Sequence, residues 1–169
     1  SRYGKNGDTG LAVYRVTVDG DGISGIPELL VEPINSPYDD CAPICVPSND
    51  PSQKPDRIYF SSSRPESIGG FDVFSIEGQF TKDGLLVVHQ ESFAHLPFEI
   101  NSSSDEWLYW PDEHSGTAWV TTNRNNDFEG REVWRIAVLE DAADPIPMHI
   151  PWADGTNFAL VEIFASGLE

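Results

Sequence analysis

The sequence is poor in basic residues, in cysteine and in long apolar runs, and each shortage removes a class of function. Its 10 Lys and Arg stand against 28 Asp and Glu, a formal net charge of −18. Such a chain repels phosphate backbones and anionic lipid surfaces, so nucleic acid is not expected as a partner. No apolar stretch approaches the roughly 20 residues a membrane-spanning helix needs, so no transmembrane segment is expected, and no signal-type segment opens the chain. The sequence reads as that of a soluble chain from which any export signal has been removed.

The 2 cysteines, Cys41 and Cys45, are spaced C-x-x-x-C, which fits neither a zinc knuckle nor a redox pair. Four residues of extended chain at about 3.3 Å each hold them roughly 13 Å apart, beyond the ~7 Å that a disulfide spans. A bridge would need a turn at Pro43, so two small buried thiols are expected. Sustained apolar periodicity of helical type is also missing. With 14 Gly and 13 Pro, the chain reads as short strands and turns, nearly all β. What is present is a core: 39% hydrophobic residues, including 9 Phe, 5 Tyr and 5 Trp, suffice for one ordinary domain and argue against disorder.

Self-comparison organises the rest. "SSRPESIGGFDVFSI" (62–76) returns as "TNRNNDFEGREVWRI" (122–136) and, in its second half, as "SRYGKNGDTGLAVYRV" at the start of the chain. Arg2, Arg64 and Arg124 anchor the copies, and each is followed by Gly-x-x-Val-aromatic at Gly10, Gly70 and Gly130. Upstream, "VEPINSPYDD" (31–40) matches "PFEINSSSDE" (97–106). A full unit is thus an Ile-Asn lead-in, an acidic pair, a strand, a turn, a strand, a glycine hairpin and another strand. Units of this kind cannot bury both faces of a sheet alone and must stack, which is propeller logic. Stacking also explains the continuously apolar Ile58-Tyr59-Phe60, covered on both faces. The Gly69-Gly70 pair is expected to supply the positive φ of the hairpin.

The stretch "INSPYDDCAPICVP…RIYFSSSRPESIGGFDVFSI" resembles the WD-repeat-like β-propeller repeat of the TolB-like family, found in bacterial envelope proteins alongside OmpA-type domains. The resemblance is close over 31–76, moderate over 97–138 and restricted to the second half of 1–18. It implies an all-β fold of propeller blades: a partial blade at 1–30, a blade at 31–96 and a blade at 97–139. The Ser-Pro-Asp-Gly turn of that pattern is replaced by "VPSNDPSQKPD" and "WPDEHSG", and the aspartate after the glycine loop is Asp72 in one copy and Glu132 in another. Two blades and a half do not close a ring of typically 4 to 8. The expectation is a piece of a larger propeller, with Leu168-Glu169 resembling a vector-derived scar. The alternatives are a tail (140–169) whose stretch "FALVEIFAS" completes a sheet with the N-terminal strands, or several copies assembling a ring.

The serines of "SSSRP" invite a nucleophile, but none of the 4 histidines lies in the motif and the G-x-S-x-G elbow is absent. A group repeated in every unit reads as scaffold, so no catalytic residue is expected. Arg2, Arg64, Arg124, Gly70, Asp72, Gly130 and Glu132 are taken as the structural motif, with Arg64 pairing Asp39, Asp40 or Asp72. The acidic pairs Asp39-Asp40 and Asp105-Glu106 are candidate binding residues, a carboxylate ring at a channel mouth that would attract a cation or basic peptide, unless they are consumed by the arginines. Trp107 and Trp110, in "DEWLYWPDEHSG", are candidate sugar-stacking residues, whereas Trp119 and Trp134 occupy repeat positions and read as core.

No cofactor is expected. Calcium is compatible with the acidity, but "DGDGISG" has Ile23 and Leu30 where an EF-hand needs ligands, so a polar hairpin turn is expected there. The resemblance implies a non-catalytic binding or scaffold module of a bacterial cell envelope, periplasmic or at the cell surface, with a protein or cell-wall glycan partner. The competing expectation is a carbohydrate-active or peptidase-associated propeller, whose acids and aromatics would occur once and break the repeat at "EWLYWPDEH".

Overall fold

Turn residues cut the chain into short strands, and pairing sorts those strands by sequence order. The computed structural model describes residues 10–19, 22–49, 54–81, 85–112, 115–124, 130–139, 150–151, 157–158 and 160–164. Strands β1 (Tyr14–Asp19) and β2 (Gly22–Leu29) pair antiparallel with Asp19 opposite Gly22; Gly20 and Asp21 of "DGDGISG", where a turn is expected, lie outside the described residues. Strands β3 (Asp40–Val46), β4 (Asp56–Ser62), β5 (Asp72–Phe80) and β6 (Leu86–His95) make an antiparallel sheet in chain order.

A second sheet holds β7 (Glu106–Asp112), β8 (Thr117–Thr122) and β9 (Glu132–Leu139) in the same antiparallel order. Strands β10 (Ile150–Pro151) and β11 (Asn157–Phe158) pair with each other, and β12 (Leu160–Phe164) runs parallel along β9. The tail strand therefore extends the second sheet and does not pair with the N-terminal strands as the sequence allowed. The described residues are all-β, and they contain no helix long and apolar enough to cross a membrane.

Two cores lie on opposite faces of the first sheet. Ile58 and Phe60 of β4 join Val13, Ile34, Phe74, Ile76 and Leu86 on the side of the β1–β2 hairpin. Tyr59, between them, points the other way and packs with Val73, Ile100 and, from the second sheet, Tyr109, Ala118, Val120 and Ile136. Period-two alternation thus sends neighbours into different cores, and the apolar run Ile58-Tyr59-Phe60 is buried throughout. Each fully buried Phe or Ile contributes about 1.5–3 kcal/mol.

The edge strands β3 and β7 both bulge near their start, between Cys41 and Ile44 in β3 and between Glu106 and Leu108 in β7. In β3 the bulge puts Ala42 at φ 48°, a left-handed conformation that costs a non-glycine residue about 1–2 kcal/mol.

Candidate functional site

The repeated motif builds one corner twice. Asp40 is the first residue of β3 and Glu106 the first of β7. Arg64, just past β4, reaches back to Asp40 Oδ1 at 2.8 Å, donates to the Pro33 carbonyl at 2.8 Å and to Ser62 Oγ at 2.8 Å. Arg124 repeats this with Glu106 Oε1 at 3.0 Å, the carbonyls of Glu99 and Ile100, and Thr122 Oγ1. Ser36 donates its N–H and hydroxyl to Asp40, and Ser102 does the same to Glu106. The guanidinium of Arg64 also lies 4.8 Å from the Phe74 ring, 5.0 Å from Phe93 and 5.2 Å from Phe60. Charge-assisted bonds satisfy the ions while aromatic faces cover the guanidinium, so desolvation is offset at a fully enclosed site.

The other acid of each pair joins consecutive units. Leu11 N–H donates to Asp39 Oδ1 at 2.6 Å, and Phe71 N–H to Asp105 Oδ1 at 2.9 Å. The lead-in asparagines do more. Asn35 accepts from Val13 N–H and donates to the carbonyls of Val13 and Leu30. Asn101 accepts from Val73 N–H and donates to the carbonyls of Val73 and Leu96. One buried amide thereby closes the edge of one unit against the next, where no strand ladder is available. The sequence marked the Ile-Asn recurrence but gave the asparagine no role; its fixed position ahead of the acidic pair, Asn35 before Asp39 and Asn101 before Asp105, was the available signal.

These bonds decide the candidate carboxylates. Asp40 and Glu106 are buried in ion pairs, so they present no open carboxylate for a cation or basic peptide. Asp39 and Asp105 are half-buried and bonded to the preceding unit. The carboxylate ring is a set of internal fastenings. Of the three carboxylates considered for Arg64, Asp40 is the one it meets; Asp72 accepts instead from Ile68 and Gly69 N–H and from His95 Nε2 at 2.6 Å. Glu132 accepts from Trp134 Nε1 at 2.9 Å. Arg2 lies outside the described residues.

The serines are bonded in the same way. Ser61 Oγ donates to the Trp107 carbonyl, Ser62 Oγ accepts from Arg64, and Ser63 Oγ accepts from Asp39 N–H. The described histidine nearest this motif, His95, is engaged with Asp72 and the Phe74 ring. Ser, His and Asp do not form a relay here.

The glycine pair corrects an expectation. Neither Gly69 nor Gly70 has a positive φ. A Cβ on Gly69 would overlap the Ser104 carbonyl oxygen, and one on Gly70 would overlap Asp105 Oδ1. Glycine is needed there because the next unit's acidic turn lies against the loop, not because the hairpin is left-handed. The cysteines differ too: both thiols are free, Cys45 is exposed and Cys41 is only half-buried. Burial, helped by the Asp40 charge, pushes the Cys41 thiol up to about 11, and burial raises Cys45 as well. Neither thiol is a nucleophile poised for neutral pH.

Of the candidate tryptophans, Trp107 is half-buried under the Arg131 guanidinium at 3.6 Å with Phe71 beside it. Trp110 is 57% exposed and sits directly opposite Trp119, which in turn sits opposite Arg135. The aromatic row Trp110–Trp119 followed by Arg135 runs across β7, β8 and β9, where the first sheet has Ile44, Tyr59 and Ser75. Among the described residues no group of three or more His, Cys, Asp and Glu could hold a metal ion. Compared with protein-family models, curated proteins and solved structures, the chain gives no match.

Proposed function

We propose that the chain is a run of β-propeller blades, similar to TolB-like repeats, acting as a non-catalytic binding or scaffold module of a bacterial envelope protein. The observation that carries this reading is the doubled corner: the polar groups of the motif are spent on holding a sheet together and on fastening it to its neighbour. Residues used identically in two units serve the scaffold, so recognition falls to what does not repeat. At the end of the sheets that bears the lead-ins and glycine loop, Tyr38, Ile68 and Phe98 are exposed large hydrophobics, and Tyr38 and Phe98 stand where the other unit has Ser104 and Glu32. Apolar side chains on loops held by a rigid frame suit a protein partner. The envelope setting rests on the sequence resemblance.

Capture from a bacterial envelope extract tests it, using the chain beside an Ile68→Asp, Phe98→Asp variant. Both preparations should unfold at the same temperature, and the variant should lose the partner that the parent retains. A second reading is favoured by the exposed Trp110 opposite Trp119, a platform on which a sugar ring could stack. A glycan that binds the parent and is lost in Trp110→Ala would replace the protein-partner reading.

A further inference from the structure

The two sheets present the same face differently, and the N-terminal hairpin shows what belongs on it. Val73 is 0% exposed because the second sheet covers it, whereas Val133, at the same place in the repeat, is 47% exposed. Gly70 has the next unit's Asp105 against it, while a Cβ on Gly130 would meet nothing among the described residues. The clip that Asn101 applies to Val73 has no counterpart at Val133 among the described residues. Among the described residues nothing fills the seat there.

The sequence of β9 identifies that occupant. Residues 133–138 read Val-Trp-Arg-Ile-Ala-Val, and residues 13–18 read Val-Tyr-Arg-Val-Thr-Val; the first sheet has Val-Phe-Ser-Ile-Glu-Gly at 73–78. Strand β9 thus resembles β1 more than it resembles β5. Strand β1 in turn sits on the first sheet, with Val13 buried beside Ile58 and Phe60 and clipped by Asn35. It is held there as part of a two-stranded hairpin, the weakest kind of sheet.

We propose that β9 of one copy takes the place of β1 on a second copy, so that the chain associates head to tail. Asn35 of the second copy then clips Val133, Asp39 fills the space left open at Gly130, and the row Trp110–Trp119 is covered. The inference rests on the blade-like stacking of the units and not on the identity of any partner. The contact is heterologous, so it propagates beyond a dimer to a ring or a filament. With a charge of −18 on each copy, association strengthens as salt screens the repulsion.

Sedimentation of the full chain over a wide range of concentration, at low and high salt, provides the test. The mass should climb with concentration, more readily at high salt. Val133→Asp and Gly130→Leu should each remain a single chain at every concentration, with unchanged thermal unfolding, because both positions are open in the monomer. Val13→Asp, which loosens β1 from its seat, should associate at lower concentration than the parent. A parent that stays a single chain throughout, or variants at Val133 and Gly130 that associate like the parent, would overturn the proposal. A single chain that still captures a partner through Ile68 and Phe98 leaves the binding reading standing, so the two failures are distinguishable.

Discussion

The first and second sheets are built from one pattern, and the contrast between them separates what the repeat requires from what its neighbours supply. Arg64 is 6% exposed among three phenylalanine rings, while Arg124, with equivalent polar partners, is 15% exposed and among the described residues has the ring of Trp134. Val73 is covered by the second sheet and Gly70 has Asp105 against it, whereas Val133 is 47% exposed and no described residue lies against Gly130. Motif residues therefore do not carry fixed energies. Each matters as much as the surface packed on it.

The largest consequence concerns the two arginines. Removing one partner of a buried ion pair leaves an uncompensated charge and typically costs about 3–5 kcal/mol. Arg64→Ala strands Asp40 and empties the cage of Phe60, Phe74 and Phe93, so its loss should lie in that range. Arg124→Ala should cost distinctly less, because solvent reaches the pair and one ring is uncovered instead of three. Urea unfolding of the two variants measures the difference, and equal losses would break the contrast between the sheets.

Next comes the asparagine clip. Asn101→Ala removes the acceptor of the Val73 N–H and a donor to the Leu96 carbonyl, while the Val73 carbonyl keeps the Leu96 N–H, at about 1–3 kcal/mol for a buried polar group left unsatisfied. Hydrogen exchange at Val73 should accelerate selectively, since its amide is protected by that side chain and not by a ladder. Exchange unchanged from the parent would show that the amide is held by something other than Asn101.

Much of this architecture was legible in the sequence, and for a physical reason. Buried polar residues need specific partners, so Arg, Asp and Asn recur at fixed positions, and the Gly-x-x-Val-aromatic frame follows the strand that pairs with them. The strands, their order within a unit and the scaffold role of Arg64 and Arg124 could be read from that recurrence. Which acid does what could not, because Asp39 and Asp40 are adjacent but point to different units. The reason for Gly69 and Gly70 was also hidden: close approach by a segment some 35 residues away leaves no local mark that differs from a turn. The exposure of Cys45 and the placement of β12 beside β9 depend on tertiary neighbours in the same way. Trp119 reads as core from its repeat position but is only half-buried, since an aromatic reads alike whether it is covered or bare.

A smaller effect probes the glycines. Gly69→Ala should destabilise by about 1–3 kcal/mol, the ordinary cost of forcing atoms into filled space, because the Ser104 backbone must move for the methyl to fit. Gly130→Ala should fall within about ±0.5 kcal/mol, as expected where no described neighbour is touched. Thermal unfolding of both variants is the measurement, and a destabilised Gly130→Ala would mean that something does lie against that loop.

The smallest effect separates two thiols on one strand. Cys45 is exposed and Cys41 half-buried beside Asp40, the acid that Arg64 holds. Alkylation just above neutral pH should therefore modify Cys45 first, with Cys41 following only as the pH nears 11. The sign for stability follows from the same shift. The folded state keeps the Cys41 proton more tightly than an unfolded chain does, so a small contribution is fully present below the ordinary thiol range and is lost as the pH rises through about 11. In Arg64→Ala the Asp40 charge is no longer neutralised, and Cys41 should become slower still to alkylate relative to Cys45. A Cys41 that instead reacts as fast as Cys45 in that variant would show that the first corner opens when its arginine is removed, tying the thiol directly to the packing that distinguishes the two sheets.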